Sequence, residues 1–157
     1  MSLLIQEIPP TDAPMALLLL ADPSEDKVLS YLAGSKCFAA SRDGVVVGAC
    51  VVHPRGTGVH ELMNIAVLPD CQKSGYGTVL LKWVIDYFRV SGASQIEVGT
   101  GTFGYQLAFY QRHGFRAASI DHDFFVRNYL EPIFEDGIQH YDMLRLRLRY
   151  STMPRVM

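Results

Sequence analysis

A strict alternation of leucine and arginine near the end of the chain most narrows what it can fold into. Over residues 143–150, leucines at 144, 146 and 148 alternate with arginines at 145, 147 and 149. Successive side chains of a strand point to opposite faces, so this pattern predicts a β-strand with one buried and one solvated face. A strand needs partners, and the chain must therefore contain a sheet and a layer that covers it.

Apolar periodicity and turn residues divide the rest of the chain into short strands and helices. Apolar side chains recur at a spacing of four from residue 79 to 88, which predicts a long amphipathic helix that Gly92 ends. Asp43-Gly44 between two apolar runs predicts a hairpin. Further strands are predicted at 3–8, 37–41, 45–53, 59–68, 95–98 and 115–120, and shorter helices at 15–21, from 24 and at 105–113. This order, β-α-α-β-β-β-α-β-α-β-β, predicts an α/β (α+β) fold with a mixed sheet flanked by helices.

Length and composition limit the class of protein. The chain has 157 residues, of which 49% are hydrophobic and 19% charged, and we expect one folded domain over residues 1–157. A net charge of −2 gives no reason to expect a nucleic-acid partner. The apolar run at 15–21 is far shorter than the roughly 20 residues that cross a membrane. Three scattered cysteines without a CxxC pair are typical of reduced thiols, so we expect a cytoplasmic protein.

Two glycine-bearing segments compete for the chemistry. The first, residues 72–78 (QKSGYGT), lies between the strand at 59–68 and the long helix. A helix N-terminus presents about four unpaired backbone N–H groups and the positive end of the helix dipole. Gly75 and Gly77 lack a Cβ, so a phosphate could contact those amides. An ordinary strand-to-helix turn softened by glycine is the alternative.

The second segment, residues 99–104 (GTGTFG), matches the G-x-G-x-x-G pattern of dinucleotide-binding domains. It also reads like the first motif of an S-adenosylmethionine-dependent methyltransferase. Such a domain needs several further βα units, and residues 105–157 hold one short helix and a few strands. A methyltransferase is therefore the less favoured alternative.

The surroundings of the first segment favour it over the second. Residues 64–77 (NIAVLPDCQKSGYG) resemble motif A of the GNAT superfamily of N-acetyltransferases, in which a strand leads to a Q/R-x-x-G-x-G/A loop and a long helix. Residues 109–115 (FYQRHGF) resemble the second landmark of that family, a tyrosine four residues before a Gly-Phe pair. The predicted order of elements is similar to the GNAT fold, a single domain with a mostly antiparallel sheet, and the resemblance covers nearly the whole chain.

The resemblance implies an acetyltransferase that moves the acetyl group of acetyl-CoA directly to a primary amine of a small molecule or peptide, without a metal. It implies that the pantetheine arm of CoA pairs with the backbone of Ile65, Ala66 and Val67, where an N–H could also polarise the thioester carbonyl. The residues that it implies for the pyrophosphate are Gln72, Lys73, Ser74, Gly75, Tyr76, Gly77 and Thr78.

Two side chains are candidates for proton transfer. The resemblance implies that Tyr110 is the general acid that protonates the departing CoA thiolate, the alternative being a buried aromatic without chemistry. Glu61 lies four residues before Ile65, a spacing that puts both side chains on one face of a regular strand. In relatives an acid near this position accepts a proton through a water, whereas a solvated strand-end carboxylate is the alternative for Glu61.

The acceptor is left open by the sequence. A segment before the last strand carries two histidines, at 122 and 140, and the carboxylates Asp121, Asp123, Glu131, Glu135 and Asp136. These side chains could line a pocket for a cationic amine, or they could form a solvated acidic loop. The apolar side chains of Phe124, Phe125, Val126 and Tyr129 in this segment could instead form a homodimer contact. A GNAT-fold protein that binds acyl-CoA as a regulator, without turnover, is the alternative to an enzyme.

Overall fold

The chain forms two compact units, which are described separately. A computed structural model describes residues 3–150, and the first unit ends at Ala93 while the second begins at Ser94. None of the helices in this described part is long and apolar enough to cross a membrane. The organisation of residues 1–157 as a single domain stays a prediction.

The first unit is built on four antiparallel strands in the order β1-β2-β3-β4. They are β1 (Leu4–Ile8), β2 (Lys36–Arg42), β3 (Val45–Gly56) and β4 (Val59–Val67). Its helices are α1 (Met15–Ala21), α2 (Glu25–Leu32) and α3 (Tyr76–Val90), and two 3₁₀ turns lie at Pro10–Asp12 and Pro69–Ser74. The two long predicted features, the strand near 59–68 and the helix over 79–88, are confirmed.

Helices cover both faces of this four-stranded sheet. On one face, Leu18 of α1 and Val28 of α2 are fully buried against Val51 of β3. On the other face, Phe88 of α3 packs its ring edge-on against Phe38 of β2, with 6.1 Å between the ring centroids. The apolar stripe of α3 predicted from the sequence is the side that is buried, at Leu80, Leu81, Val84, Ile85 and Phe88.

The second unit has three antiparallel strands in the order β5-β9-β6, namely β5 (Gln95–Gly101), β6 (Arg116–Asp121) and β9 (Met143–Arg149). The alternating leucine–arginine segment is the central strand β9, and its Leu146 is fully buried. The helices are α4 (Tyr105–Arg112) and α5 (Phe124–Asn128), and a small hairpin joins β7 (Phe134–Glu135) to β8 (Ile138–Gln139). The expected class, an α/β (α+β) fold with a mostly antiparallel sheet flanked by helices, is confirmed.

Two Asp-Gly pairs turn the chain in the same way. Asp43 and Gly44 have φ values of 53° and 81°, and they form the predicted hairpin between β2 and β3. Asp136 and Gly137 have φ values of 53° and 78° between β7 and β8, which the sequence analysis did not predict. Strands of two residues are too short to show a period, so the turn was the only signal available.

Candidate cofactor and catalytic site

The predicted phosphate loop is an exposed left-handed turn at the start of α3. After the 3₁₀ turn at Pro69–Ser74, Gly75 has a φ of 79°, and among residues 3–150 no atom beyond its two chain neighbours comes within 4 Å of the position that a Cβ would take there. The first bond of the helix ladder runs from the Val79 N–H to the Gly75 carbonyl, at 3.1 Å. The N–H groups of residues 76–78 therefore lie outside that ladder, as an anion site at a helix N-terminus requires.

One side-chain and one backbone hydrogen bond hold the segment before the turn to the residues that end β4 and follow it. The Gln72 amide donates to the Val67 carbonyl at 3.1 Å, and the Cys71 N–H donates to the Leu68 carbonyl at 2.8 Å. The Cys71 thiol is buried beside Val47 and Val67. Gln72 therefore serves this loop by fixing its shape, while Lys73 and Ser74 are exposed next to it.

A cation that the sequence analysis missed lies beside this helix start. The guanidinium of Arg42, at the end of β2, donates to the Tyr76 hydroxyl at 2.9 Å. Its central carbon is 5.7 Å from the centroid of the Tyr76 ring. Arg42 precedes a turn and lies 34 residues from its partner, so no local pattern could have found it.

The backbone of β4 next to this loop is regular. Ile65, Ala66 and Val67 pair with Cys50, Ala49 and Gly48 of β3. In an antiparallel ladder alternate residues direct their N–H and C=O groups at the partner strand, and the others direct theirs at the opposite edge. Part of the backbone of residues 65–67 therefore points away from β3.

A β-bulge at Met63 overturns one expectation for Glu61. Val51 pairs with Asn64 and the next residue of β3, Val52, pairs with Leu62, so Met63 is an extra residue in β4. Directly paired residues share a face, and Glu61 pairs with His53 whereas Ile65 pairs with Cys50. Because residues 50 and 53 of β3 lie on opposite faces, the expectation that Glu61 and Ile65 share a face is wrong.

Glu61 is a buried carboxylate rather than a solvated one. It is 5% exposed, and its Oε1 accepts from the Arg55 Nε at 2.7 Å. Its neighbour His60 turns to the face of α3, where its ring lies 4.6 Å from that of Phe88. Burial there lowers the pKa of His60. The two adjacent side chains point in opposite directions, as successive residues of a strand do.

Asn64 belongs to a buried polar cluster on the same face as Glu61. Its Nδ2 donates to the Leu18 carbonyl of α1 at 2.9 Å and to the Tyr31 hydroxyl of α2 at 3.1 Å. The Tyr31 hydroxyl donates in turn to Asp22 Oδ2 at 3.0 Å. Burial raises the pKa of Tyr31, so this hydroxyl stays protonated and keeps donating. The cluster joins α1, α2 and β4.

In the second unit, Tyr110 lies on α4 where the resemblance placed it. The residue is 4% exposed, and its ring packs edge-on against Phe109 and Phe115 at centroid distances of 5.2 and 5.5 Å. Gly114 ends this helix segment with a φ of 95°. The aromatic neighbours hold the phenol ring in one orientation, which a proton donor and a purely packed residue both need.

The second glycine segment does not present open backbone to a ligand. A Cβ at Gly99 would overlap the sulfur of Met143, one at Gly101 would overlap the ring of His140, and one at Gly104 would overlap the carboxylate of Glu135. These glycines make room for side chains of the chain itself. The methyltransferase alternative, which needed them to approach a cofactor, is wrong.

Two carboxylates of the acidic segment have partners within the same segment. Asp121 pairs with Arg127 at 2.7 Å, and Glu135 pairs with His140 at 2.9 Å. In residues 3–150, no group of three or more His, Cys, Asp or Glu side chains is arranged to hold a metal ion. Two of the five carboxylates that the sequence singled out, Asp121 and Glu135, are therefore paired inside the segment.

Comparison with known proteins agrees with these features. The family model described as the Acetyltransferase (GNAT) family matches residues 7–115. An uncharacterized N-acetyltransferase of Bacillus subtilis (strain 168), YvbK, is 46% identical over 133 residues, which cover 84% of this chain and 86% of the relative. The structure of an IAA acetyltransferase from Bacillus cereus ATCC 14579 matches with a TM-score of 0.90 and 41% identity, covering 95% of this chain and 100% of that one.

A GNAT family acetyltransferase from Elizabethkingia anophelis, whose crystal structure has acetyl-CoA bound, matches with a TM-score of 0.89 and 36% identity. The match covers 94% of this chain and 98% of that one. The strand β4, the left-handed turn at Gly75 and the long helix α3 lie within the residues that the family model matches. The chain therefore belongs to the GNAT family of acetyltransferases.

Proposed function

We propose that this protein transfers the acetyl group of acetyl-CoA directly to a primary amine of a small molecule or peptide. The observation that carries the proposal is the exposed turn at Gly75, which follows β4 and leaves the first N–H groups of α3 outside the helix ladder. Such a terminus favours a phosphate through both its N–H groups and its dipole. The acetyl-CoA bound to the relative from Elizabethkingia anophelis supports this choice of donor.

The residues present fit a bound CoA. The N–H groups of residues 75–78 and the exposed Lys73 would hold the pyrophosphate, while the hydroxyls of Ser74 and Thr78 would add hydrogen bonds. Gln72 would act by fixing the loop through Val67. The outward backbone groups of Ile65, Ala66 and Val67 would pair with the pantetheine arm. Arg42 supplies a further positive charge at Tyr76.

Proton transfer is the part of the reaction that side chains perform. The thioester of acetyl-CoA supplies an activated acyl group and a thiolate leaving group. In our proposal Glu61 accepts the proton that the attacking amine loses, through a water, and Tyr110 donates its phenolic proton to the thiolate. A phenol near pKa 10 can serve a thiol near pKa 8.5 where hydrogen bonds stabilise the phenolate.

Location and assembly complete the proposal. Cys37, Cys50 and Cys71 are free and buried, which suits a reducing cytoplasm. A homodimer contact is proposed for the segment around α5, where Val126 and Leu130 are exposed.

The experiment that tests this function is an acceptor screen. Purified protein is incubated with acetyl-CoA and a panel of polyamines, aminoglycosides, amino acids, short peptides and IAA, the compound named in the Bacillus cereus relative, and the released CoA thiol is measured. We expect thiol release that requires one class of amine. Stabilisation by CoA without release in the presence of any amine would instead favour the non-catalytic regulator.

A further inference from the structure

We propose that Glu135 and His140 form a socket with the loop at residues 101–104 that fixes the start of α4 and thereby positions Tyr110. The proposal rests on the proposed function through the role of Tyr110 as proton donor. It also gives a structural role to the glycine segment at residues 99–104, which takes no part in the proposed binding of CoA. Glu135 and His140 act here as positioning residues.

Glu135 caps α4 from 30 residues away along the chain. Gly104, the residue that precedes the helix, has no side chain to cap it, and the Tyr105 N–H donates instead to Glu135 Oε2 at 2.9 Å. The other carboxylate oxygen, Oε1, lies 2.9 Å from the Nε2 of His140. One carboxylate thus holds the first N–H of the helix while a histidine holds the carboxylate.

The ring of His140, which holds the Glu135 carboxylate, is itself fixed by its surroundings. It is 7% exposed, its ring stacks on Phe103 at 4.2 Å with an interplanar angle of 12°, and its backbone N–H donates to the Ile133 carbonyl at 2.8 Å. The Phe125 ring lies 5.6 Å away on a tilted plane. A ring bounded by two aromatic side chains has little freedom to move.

The glycines complete the socket. A Cβ at Gly101 would overlap Cε1 and Nδ1 of the His140 ring, and a Cβ at Gly104 would overlap the Glu135 carboxylate. Over the five residues 101–105, therefore, the chain offers two positions without a side chain, one aromatic ring that stacks, and one N–H that is capped. This close fit to one hydrogen-bonded pair of side chains is more than a generic strand-to-helix turn needs.

The consequence for catalysis follows from the size of α4. The helix has eight residues, and Tyr110 lies five residues after the capped Tyr105. Fixing the first turn of so short a helix sets the position of every side chain along the helix axis and its direction around that axis. A shift of about 1 Å in a catalytic group can lower a rate about 100-fold, so a loose socket would lower turnover without removing the phenol.

The first arm of the test uses Glu135→Gln, alone and in the Tyr110→Phe background. We expect roughly tenfold faster hydrogen exchange at the amides of residues 105–109, because the charged cap is lost. We expect kcat to fall roughly 10- to 100-fold in the protein with Tyr110, little change in the KM for acetyl-CoA, and no further fall in the Tyr110→Phe background. Equal falls in both backgrounds would overturn the link to Tyr110.

The exchange measurement separates this proposal from the proposed function. If Tyr110→Phe alone keeps the wild-type rate, the role of Tyr110 as acid fails, yet faster exchange at residues 105–109 in Glu135→Gln still supports the socket. Unchanged exchange at these amides overturns the socket whatever the rates are.

The second arm tests the steric fit directly. Gly101→Ala should lower the melting temperature and kcat, because the added methyl group meets a ring that cannot yield. His140→Ala in the same protein removes the ring, and the double variant should be less impaired than the two single effects combined predict. Gly56→Ala is the matched control, because in the described part of the chain only the neighbouring residues lie within 4 Å of the added Cβ. Strictly additive effects of Gly101→Ala and His140→Ala would contradict the socket.

Discussion

For Tyr110, a role as proton donor and a role in packing predict different results when only the hydroxyl is removed. Tyr110→Phe keeps the ring that packs against Phe109 and Phe115 and removes only the hydroxyl. Because general acid catalysis is worth about 10²–10⁴-fold, we expect kcat to fall by that factor while the melting-temperature shift caused by CoA is retained. Steady-state rates and thermal unfolding of both proteins check this.

An acyl donor with a more acidic thiol serves as the control for that prediction. A better leaving group needs less protonation, so the difference between Tyr110→Phe and the wild type should shrink with it. A difference that stays the same with both donors would indicate misplacement of the substrate rather than loss of a proton donor.

The hydrogen bonds of the buried Tyr31 hydroxyl lead to a prediction about the free energy of unfolding. Its hydroxyl joins Asp22 and Asn64 inside the first unit, so Tyr31→Phe leaves a buried carboxylate and a buried amide each with one partner fewer. We expect the free energy of unfolding to fall by about 1–3 kcal/mol, as measured by urea titration. Tyr141→Phe, at a half-exposed ring, is the matched control and should change it by less than about 0.5 kcal/mol.

Glu135 makes a prediction about pH. Its bond from the Tyr105 N–H, followed by its bond to His140, lowers its pKa below the ordinary value of 4.5. A lowered carboxylate pKa stabilises the folded state above the unfolded pKa, and this contribution is lost as the pH falls through the folded pKa. The stability difference between the wild type and Glu135→Gln should therefore shrink as the pH falls below about 4.5.

Urea titrations of both proteins across that range, at low salt, measure this effect. The Glu135 side chain is 34% exposed, so screening by solvent and salt reduces the effect, and low ionic strength keeps it measurable. A difference that grew toward acid pH would show that the carboxylate is not held in its charged form.

At the scale of elements, the N-terminus of α3 carries the prediction about the cofactor. Gly77→Asp places a carboxylate where a phosphate is expected, and the two negative charges repel each other. We expect CoA and acetyl-CoA to raise the melting temperature of the wild type but not of this variant, because only ligands that bind the native state stabilise it. S-adenosylmethionine should stabilise neither protein.

Gly56→Asp provides the matched control for that experiment. It adds the same charge at the end of β3, at a glycine where no atom of the described residues beyond its chain neighbours lies within 4 Å of the new Cβ. Its response to CoA should equal that of the wild type. Loss of the response in both variants would point to a general charge effect instead of a phosphate site at α3.

Elements were predictable to the extent that they were long. The period-two pattern of β9 and the apolar stripe of α3 extend over seven and fifteen residues, enough to distinguish strand from helix. The five-residue helix α5 and the hairpin of β7 and β8 were missed, because so few residues show no period. What holds that segment is contact with distant residues, such as the bond from the Phe125 N–H to the Tyr141 carbonyl.

Over the whole molecule, the sequence located the loop of the candidate site but not its supports. Residues 72–78 are contiguous, so their glycines, together with the resemblance of residues 64–77 to motif A, were enough to make them the candidate. Arg42 beside Tyr76, Arg55 beside Glu61 and Glu135 beside Tyr105 are brought together only by tertiary structure. No local sequence pattern marks these side chains, because a charged residue in a turn has the same sequence context whether its side chain is solvated or paired.

The extra residue Met63 has a consequence for how polar groups are shared out along β4. Glu61 and Asn64 are three positions apart, an odd separation that a regular strand assigns to opposite sides, yet both lie on the side of α1 and α2. The inserted Met63 thus exchanges the two faces of the sheet for the residues of β4 before it, relative to the residues after it. As a result, residues 65–67 keep a regular backbone ladder with β3, while the side chains of Glu61 and Asn64 both lie on the face covered by α1 and α2.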